Sequence, residues 1–205
     1  IEDTDRKRST QEAIDAIIEG LDWMGLDYDA PPLFQSDRAE RHAEVAWQLL
    51  KAGHAYKCFA TPEELEAMRE EQRANKKPLR YDGRWRDRDP AEAPEGAPFT
   101  IRLRTPEEGE TTIHDRVQGA VTVKNEELDD YIILRADGTP TYMLAVVVDD
   151  AEQGITHVVR GQDLADNTPR QMALQQALGL TTPFYMHTPL VLGTDGEKLS
   201  KQNGA

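Results

Sequence analysis

The fold class is predicted by residues 155–172, whose sequence is ITHVVRGQDLADNTPRQM. Residues 155–159 have the length and character of a strand buried on both faces. Residues 167–171 then open a helix that runs to Gly179, with apolar side chains at helical spacing. The stretch therefore predicts a strand followed directly by a helix.

Two further apolar segments extend this pattern. Residues 142–148 are continuously apolar, which predicts another strand buried on both faces, and residues 190–192 predict a third, short strand. Strands that alternate with helices are typical of parallel βαβ units. We therefore predict an α/β fold with a parallel sheet, whose two halves flank an inserted middle block.

Three helix signals lie in the first part of the chain, the third of them at the start of the middle block. Ser9 and Glu12 form a predicted capping box for the first helix, which ends at Gly25. A second helix is predicted at about residues 37–52. The third begins at Thr61, where a cap, a proline and two acidic residues agree. The apolar stripe of the first helix is Ile14, Ile17, Ile18, Leu21 and Met24, and the inward residues of the second are Val45, Leu49 and Leu50.

The middle block, about residues 60–140, predicts one helix and a small antiparallel sheet. Residues 78–98 show no hydrophobic period and predict an exposed loop. Residues 99–104 alternate apolar with polar side chains, which predicts a half-buried strand with its threonine and arginines on the polar face. Shorter strands are predicted at 120–124 and 131–135.

The composition excludes a membrane-spanning or disordered chain. Of the 205 residues, 38% are hydrophobic and 30% are charged, and the longest apolar run, residues 143–148, is only strand-sized. The acidic start predicts no signal peptide. Cys58 is the only cysteine, which excludes an internal disulfide and a zinc site of four thiolates and fits a reducing cytoplasm.

The net charge of −14 argues against a nucleic-acid partner, but residues 76–104 reverse it locally. This basic segment carries eight lysines and arginines against five acidic residues. It is either an ordinary solvated face or a surface on which a polyanion docks while the acidic remainder repels it elsewhere.

Lys198 and Lys201 are candidates for nucleotide chemistry. They flank a serine in the segment GEKLSK at 196–201, after a glycine turn, and two ammonium groups suit the charge that builds on a departing pyrophosphate. The segment is not a Walker loop. A solvated loop is the alternative.

Arg160 is the candidate for binding a carboxylate. It follows a predicted parallel strand, and ligands bind at the carboxyl ends of such strands. A guanidinium suits bidentate capture of a carboxylate, although a structural salt bridge is the alternative. Glu2, in an acidic N-terminal patch, is placed to hold a substrate ammonium if it reaches the same crevice.

Six segments, in order and at matching spacing, resemble glutamyl-tRNA synthetase, a class I aminoacyl-tRNA synthetase. They are IEDTD with RST at 1–10, YDGR at 81–84, DGTPTY at 137–142, VDD, GITH and RG within 148–161, NTPRQ at 167–171, and KLSKQNGA at 198–205. The last resembles the class I "KMSKS" signature. The resemblance covers essentially the whole chain.

The resemblance implies a Rossmann-like nucleotide-binding catalytic domain split by an inserted α+β domain that binds the tRNA acceptor stem. The implied parts are residues 1–59, the insertion at 60–140, and residues 141–205 with the KMSKS-like loop. The implied reaction activates L-glutamate with ATP, used as its Mg²⁺ complex, and transfers the glutamyl group to the 3′ end of tRNA(Glu). The implied protein is a cytoplasmic monomer without a membrane partner.

Residue roles follow from the same resemblance. Glu2 corresponds to the residue that meets the α-amino group of glutamate. Tyr142 and Arg160 correspond to residues of the glutamate pocket, and Arg160 is assigned to the side-chain carboxylate. The residues implied to contact ATP are Lys198 and Lys201, which are also the implied catalytic pair, and Asp163. The residues implied to contact tRNA phosphates are Arg80, Arg84 and Arg86.

The sequence departs from the family pattern at three places. The His-x-Gly-His signature of class I synthetases is absent, so we expect a fragment with an incomplete ATP site that is inactive alone. Trp85 stands in the region where some relatives carry zinc-binding cysteines, so no zinc is expected.

The third departure concerns the acceptor. Gln202 and Asn203 follow Lys201, and together with residues 151–154 and 160–164 they lean toward glutamyl-queuosine tRNA(Asp) synthetase. That enzyme is one alternative function. A catalytically inactive module that binds tRNA or a partner is the other.

Overall fold

The computed structural model describes residues 1–4, 9–194, 196–197 and 199. Within them, the helices and strands are, in chain order, α1 (Gln11–Met24), α2 (Ala39–Lys51), β1 (Ala55–Cys58), α3 (Pro62–Ala74), β2 (Thr100–Leu103), β3 (Glu110–Asp115), β4 (Gly119–Lys124), β5 (Ile132–Leu134), α4 (Tyr142–Glu152), β6 (His157–Gly161), α5 (Thr168–Ala177) and β7 (Phe184–Thr188). The chain divides into a first unit of Ile1–Arg104 with Asp130–Asp150, and a second unit of Thr105–Asp129 with Ala151–Ala205.

The first unit is organised around an antiparallel sheet in the order β1-β2-β5. Helix α2 contacts all three strands. The strands predicted at 99–104 and 131–135 are confirmed as β2 and β5, and the sheet includes β1 as well. The buried apolar side chains of this unit include Val45, Ala46, Leu49, Ile101, Leu103, Ile133, Leu134 and Leu144.

Side-chain caps mark the starts of α1 and α3 in the first unit. Thr61 caps α3 through a reciprocal pair, in which its Oγ1 accepts from the Glu64 amide at 3.2 Å and the Glu64 carboxylate accepts from the Thr61 amide at 2.8 Å. The cap of α1 is Thr10 rather than the predicted Ser9. Gly25 ends α1 with φ 67°, a left-handed conformation that favours glycine.

Replacing Thr61 by alanine is expected to destabilise the chain by about 1 kcal/mol, because the Glu64 amide loses its acceptor at the start of α3. Urea unfolding followed by circular dichroism measures the change. Thr61→Ser, which keeps the hydroxyl, is the matched control and is expected to stay close to the parent protein. Equal losses in the two variants would contradict the capping role.

The second unit contains the predicted parallel unit. Strands β6 and β7 pair in parallel, with Arg160 opposite His187, and α5 lies between them in sequence. The strand predicted at 120–124 is β4, which forms a hairpin with β3 that contacts β7. The predicted α/β class with a parallel sheet is therefore confirmed, and the strand predicted at 155–159 is found two residues later.

The strand predicted at residues 142–148 is wrong, because this run forms α4. Its first backbone bonds go from Leu144 and Ala145 to the Thr141 carbonyl. Six consecutive residues from Leu144 are buried, so the helix is surrounded by protein on most sides. A short apolar run is compatible with either a buried strand or a buried helix, and its periodicity does not distinguish them.

Two other details of the predicted strands are wrong. Residues 190–192 follow β7 and are not a strand: only Leu192 takes part in a bridge, and Val191 is 71% exposed. The strand that pairs with β6 is β7 instead. Arg102 of β2 is buried instead of half-exposed. Its guanidinium donates to the Asp130 carbonyl at 2.6 Å and lies 3.7 Å from the centre of the Tyr81 ring.

Candidate active site

Arg160 lies at the carboxyl end of β6, as predicted, and three side chains hold its guanidinium. Its Nε donates to Nε2 of His187 at 3.0 Å. Its Nη2 donates to Oγ1 of Thr168 at 2.8 Å and to Oε1 of Gln171 at 2.9 Å. Strand β7 supplies the first acceptor and helix α5 supplies the other two, so the strand–helix–strand unit itself orients the guanidinium.

The acceptors around Arg160 are not carboxylates, so they do not neutralise its charge. Within the described part of the chain, Arg160 forms no ion pair and its Nη1 makes no hydrogen bond. Arg84 and Arg86, by contrast, each pair with an aspartate. A partly exposed guanidinium with intact charge and a fixed orientation is suited to binding a carboxylate.

His187 connects Arg160 to the β3–β4 hairpin. Its Nδ1 lies 2.6 Å from Oδ2 of Asp115, and its backbone amide donates to the same carboxylate. The hairpin amides of Val117 and Gln118 donate to Oδ1 of Asp115, both at 2.8 Å. His187 and Asp115 are only 2% and 6% exposed, so this chain of contacts is shielded from water.

Asp115 is ionised in this network. Burial alone would raise its pKa, but the hydrogen bonds from the Gln118 amide, the His187 side chain and the Val117 and His187 amides outweigh burial and lower the pKa to about 2. The carboxylate therefore only accepts hydrogen bonds at neutral pH.

A cavity of about 250 Å³ opens beside the Asp115–His187 pair. It lies between the hairpin and α5, and Asp166 and Arg170 also line it. Tyr185 stacks on the His187 ring, with the planes 9° apart, and accepts a hydrogen bond from Gln175. Sequence reasoning missed this cavity, because its walls come from segments that are distant along the chain and carry no common motif.

The remaining predicted substrate residues fall in both units. Glu2 and Tyr142 belong to the first unit, where Glu2 is exposed and Tyr142 begins α4. Asp163 belongs to the second unit, in the turn after Arg160, and its Oδ1 would be overlapped by a Cβ at Gly161. Their roles stay a prediction, as does that of Arg160. Lys198 and Lys201 lie outside the described residues.

The three arginines predicted to contact tRNA have partners in the first unit. Arg84 forms a forked pair with Asp82, and Arg86 lies 2.7 Å from Asp130 with only 15% of its side chain exposed. The backbone of Arg80 pairs with the side chain of Gln72. Contact with tRNA stays a prediction, and for Arg86 it would compete with this ion pair.

Cys58 lies in an apolar cluster with Tyr56 and Trp85. Its Sγ lies 3.2 Å from the hydroxyl of Tyr81, which also accepts from the Trp85 amide. In the part of the chain that the structure describes, no three His, Cys, Asp or Glu side chains are grouped to hold a metal ion. No described helix is long and apolar enough to span a membrane.

Comparison with known proteins identifies the family. The family model for the catalytic domain of class I tRNA synthetases (E and Q) matches residues 1–205. Over 205 residues the chain is 66% identical to glutamate–tRNA ligase 2 of Zymomonas mobilis, covering all of this chain and 43% of that protein. It is 64% identical to glutamate–tRNA ligase 1 of Erythrobacter litoralis, again covering all of this chain and 44% of the relative.

Solved structures agree with the sequence relatives. A glutamate tRNA ligase from Elizabethkingia meningosepticum, crystallised in complex with its amino acid, matches with a TM-score of 0.86 at 32% identity. Glutamate-tRNA synthetase from Elizabethkingia anophelis matches with a TM-score of 0.87 at 33% identity. Each match covers the whole of this chain and 45% of the solved chain, so the 205 residues span less than half the length of these relatives.

Proposed function

The chain belongs to the catalytic-domain family of the class I tRNA synthetases for glutamate and glutamine, an enzyme family, and we propose that it supplies most of a site that activates L-glutamate. The observation that carries this proposal is Arg160, whose guanidinium is oriented by three acceptors that leave its charge intact. The relatives with 64–66% identity are glutamate–tRNA ligases, which supports glutamate as the amino acid.

The proposed reaction has two steps. In the first, an oxygen of the α-carboxylate of glutamate attacks the α-phosphorus of ATP, which enters as its Mg²⁺ complex. The bond between this phosphorus and pyrophosphate breaks. This yields glutamyl-adenylate and needs no general base, because the attacking carboxylate is already ionised. In the second, a hydroxyl of the 3′-terminal ribose of tRNA(Glu) attacks the acyl carbon, AMP leaves with the bonding electron pair, and the hydroxyl proton is released to water.

We assign the substrate contacts as follows. Arg160, whose Nη1 makes no hydrogen bond to a described residue, is assigned to the side-chain carboxylate of glutamate. Tyr142 is assigned to a further contact with glutamate, and Glu2 to its α-amino group. A carboxylate pairs with a guanidinium in a forked geometry, which distinguishes glutamate from a neutral side chain of similar length. The residues assigned to ATP are Lys198, Lys201 and Asp163.

We also propose that residues 60–140 form the insertion that receives the tRNA acceptor stem. The basic segment supports this assignment, because its eight lysines and arginines suit phosphate binding within an otherwise acidic chain. The side chain of Arg84 is 29% exposed in its pair with Asp82, against 15% for Arg86 in its pair with Asp130, so of these two arginines Arg84 is better able to exchange its carboxylate for a phosphate.

Glutamate-dependent ATP–pyrophosphate exchange tests the first step. The assay uses the intact natural protein, with and without tRNA, and compares glutamate with glutamine and aspartate. We expect exchange with glutamate and none with glutamine or aspartate. Absence of exchange under every condition would reject the enzymatic function and would favour a module that only binds tRNA or another partner.

The acceptor is tested with tRNA(Glu) whose 3′ ribose has been oxidised by periodate. We expect intact tRNA(Glu) to accept labelled glutamate and the oxidised tRNA to accept none, because the attack requires the ribose hydroxyl. Transfer to oxidised tRNA(Asp) would contradict the proposed acceptor and would show that glutamate is attached to a base instead.

A further inference from the structure

The hydrogen bonds around His187 determine which of its ring nitrogens carries the proton. Nδ1 faces the Asp115 carboxylate at 2.6 Å, and this ionised group can only accept. Nε2 faces Nε of Arg160 at 3.0 Å, and a guanidinium can only donate. Nε2 also lies 3.1 Å from Oγ1 of Thr168, whose hydroxyl accepts from Arg160 and can donate its own proton to a bare Nε2. The contacts with Asp115 and Arg160 are both satisfied only when His187 is neutral, with its proton on Nδ1 and a bare Nε2.

Backbone hydrogen bonds from the hairpin and from β7 fix the orientation of the Asp115 side chain. Its carboxylate accepts from the amides of Val117, Gln118 and His187 as well as from the imidazole. Gln118 adds a bond from its side chain to the His187 carbonyl at 2.8 Å. The strand that carries His187 is therefore fastened to the hairpin at its backbone and at its ring.

The consequence for Arg160 concerns both orientation and charge. The bare Nε2 of His187 accepts from the guanidinium without adding a negative charge beside it. A carboxylate in the same place would hold the guanidinium equally well, but it would compete with a substrate carboxylate for the same positive charge. The neutral imidazole, held by Asp115 at Nδ1, therefore orients Arg160 through Nε2 and leaves the positive charge of the guanidinium available to a substrate carboxylate.

We propose that Asp115 and His187 are positioning residues for Arg160: Asp115 holds His187 in the Nδ1-protonated tautomer, and the bare Nε2 orients the guanidinium toward the side-chain carboxylate of glutamate. The inference rests on the proposed role of Arg160 in glutamate binding. Neither residue touches substrate in this assignment, so both act through the arginine.

Asp115→Asn tests the tautomer with little change of shape. The amide oxygen of the introduced side chain is expected to keep the bonds from Val117 and Gln118, which leaves its NH₂ facing Nδ1 of His187. The ring must then accept at Nδ1 and carry its proton on Nε2. Two N–H donors, Nε2–H of His187 and Nε–H of Arg160, then face each other, and the hydrogen bond between them is lost. We expect the KM for glutamate to rise about 10- to 100-fold, while the KM for ATP changes less than about twofold.

Two substitutions of His187 separate positioning from a general structural role. His187→Gln retains an oxygen able to accept from Arg160, whereas His187→Leu removes the acceptor. We expect the glutamate KM of the glutamine variant to stay within about threefold of the parent and that of the leucine variant to rise about tenfold or more. Equal KM values in the two folded variants would overturn the proposal.

Nitrogen-15 spectra of the histidine rings provide a readout that needs no variant to fold. In the unmodified protein the Nδ1 signal of His187 is expected at the position of a protonated ring nitrogen and the Nε2 signal at that of a bare one. A proton on Nε2 would overturn the inference, whatever the activity. Absence of glutamate-dependent exchange in the parent protein would instead reject the proposed function, so the two failures are distinguishable.

Discussion

Replacing Arg160 by alanine is expected to lower kcat/KM for glutamate in ATP–pyrophosphate exchange about a thousandfold, equivalent to ~4 kcal/mol. The substitution removes the cation proposed to bind the substrate carboxylate and leaves that carboxylate desolvated without a partner. It also strands the acceptors on His187, Thr168 and Gln171, which now face the guanidinium at 2.8–3.0 Å. Both effects act on glutamate binding, so the KM for ATP is expected to change little.

Two controls define the origin of this loss. Arg160→Lys keeps the charge but has a single donor group in place of the planar fork, so we expect an intermediate loss of about a hundredfold. Arg41→Ala removes an exposed arginine that pairs with Glu44 outside the proposed insertion, and it is expected to leave exchange unchanged. A near-normal KM for glutamate in Arg160→Ala would disprove the assignment of the carboxylate site.

Replacing Asp130 by alanine is expected to destabilise the first unit by about 3 to 5 kcal/mol. Asp130 is 5% exposed and accepts from the Tyr56 hydroxyl at 2.9 Å and from Arg86 at 2.7 Å. Burial, and next the charge of Asp130, raise the pKa of Tyr56, so its hydroxyl stays protonated and donates. Without the carboxylate, a largely buried guanidinium and a buried hydroxyl both lose this acceptor.

Denaturant unfolding followed by tyrosine and tryptophan fluorescence measures this effect. Asp82→Ala is the matched control, because Asp82 also accepts from an arginine with both carboxylate oxygens, but the side chains of Asp82 and Arg84 are 38% and 29% exposed. We expect that variant to lose less than about 1 kcal/mol. Similar small losses for both aspartates would show that the buried pair contributes no more than a surface ion pair.

The parts of the fold that were predicted correctly carry local signals. The capping residues at Thr61 and the glycine at Gly25 act within one turn of helix, so the sequence alone contains the whole interaction. The run at 142–148 fails for the opposite reason. Its conformation depends on what surrounds it, and only tertiary packing decides whether a uniformly apolar segment becomes a strand or a helix.

The candidate site was predictable only in part. Arg160 was found because it follows a predicted strand. Its partner His187 lies 27 residues further along the chain and is brought opposite Arg160 by the register of β6 and β7, which the sequence does not reveal. Asp115 is a further 72 residues from His187 and reaches it only through the fold of the hairpin. Thr168 and Gln171 stood within the segment NTPRQ that supported the family resemblance, yet their role as acceptors required the structure.

The interleaving of the two units has a consequence for biosynthesis. The chain passes between the units at residues 104–105, 129–130 and 150–151, so neither unit is a continuous stretch. On the ribosome the first unit has all its residues once Asp150 is made, whereas the β3–β4 hairpin, finished at Lys124, must wait for β7, which begins at Phe184. At about 5 to 20 residues per second this interval lasts roughly 3 to 12 s. A nascent chain released before His187 would thus carry Arg160 without the acceptor that orients it.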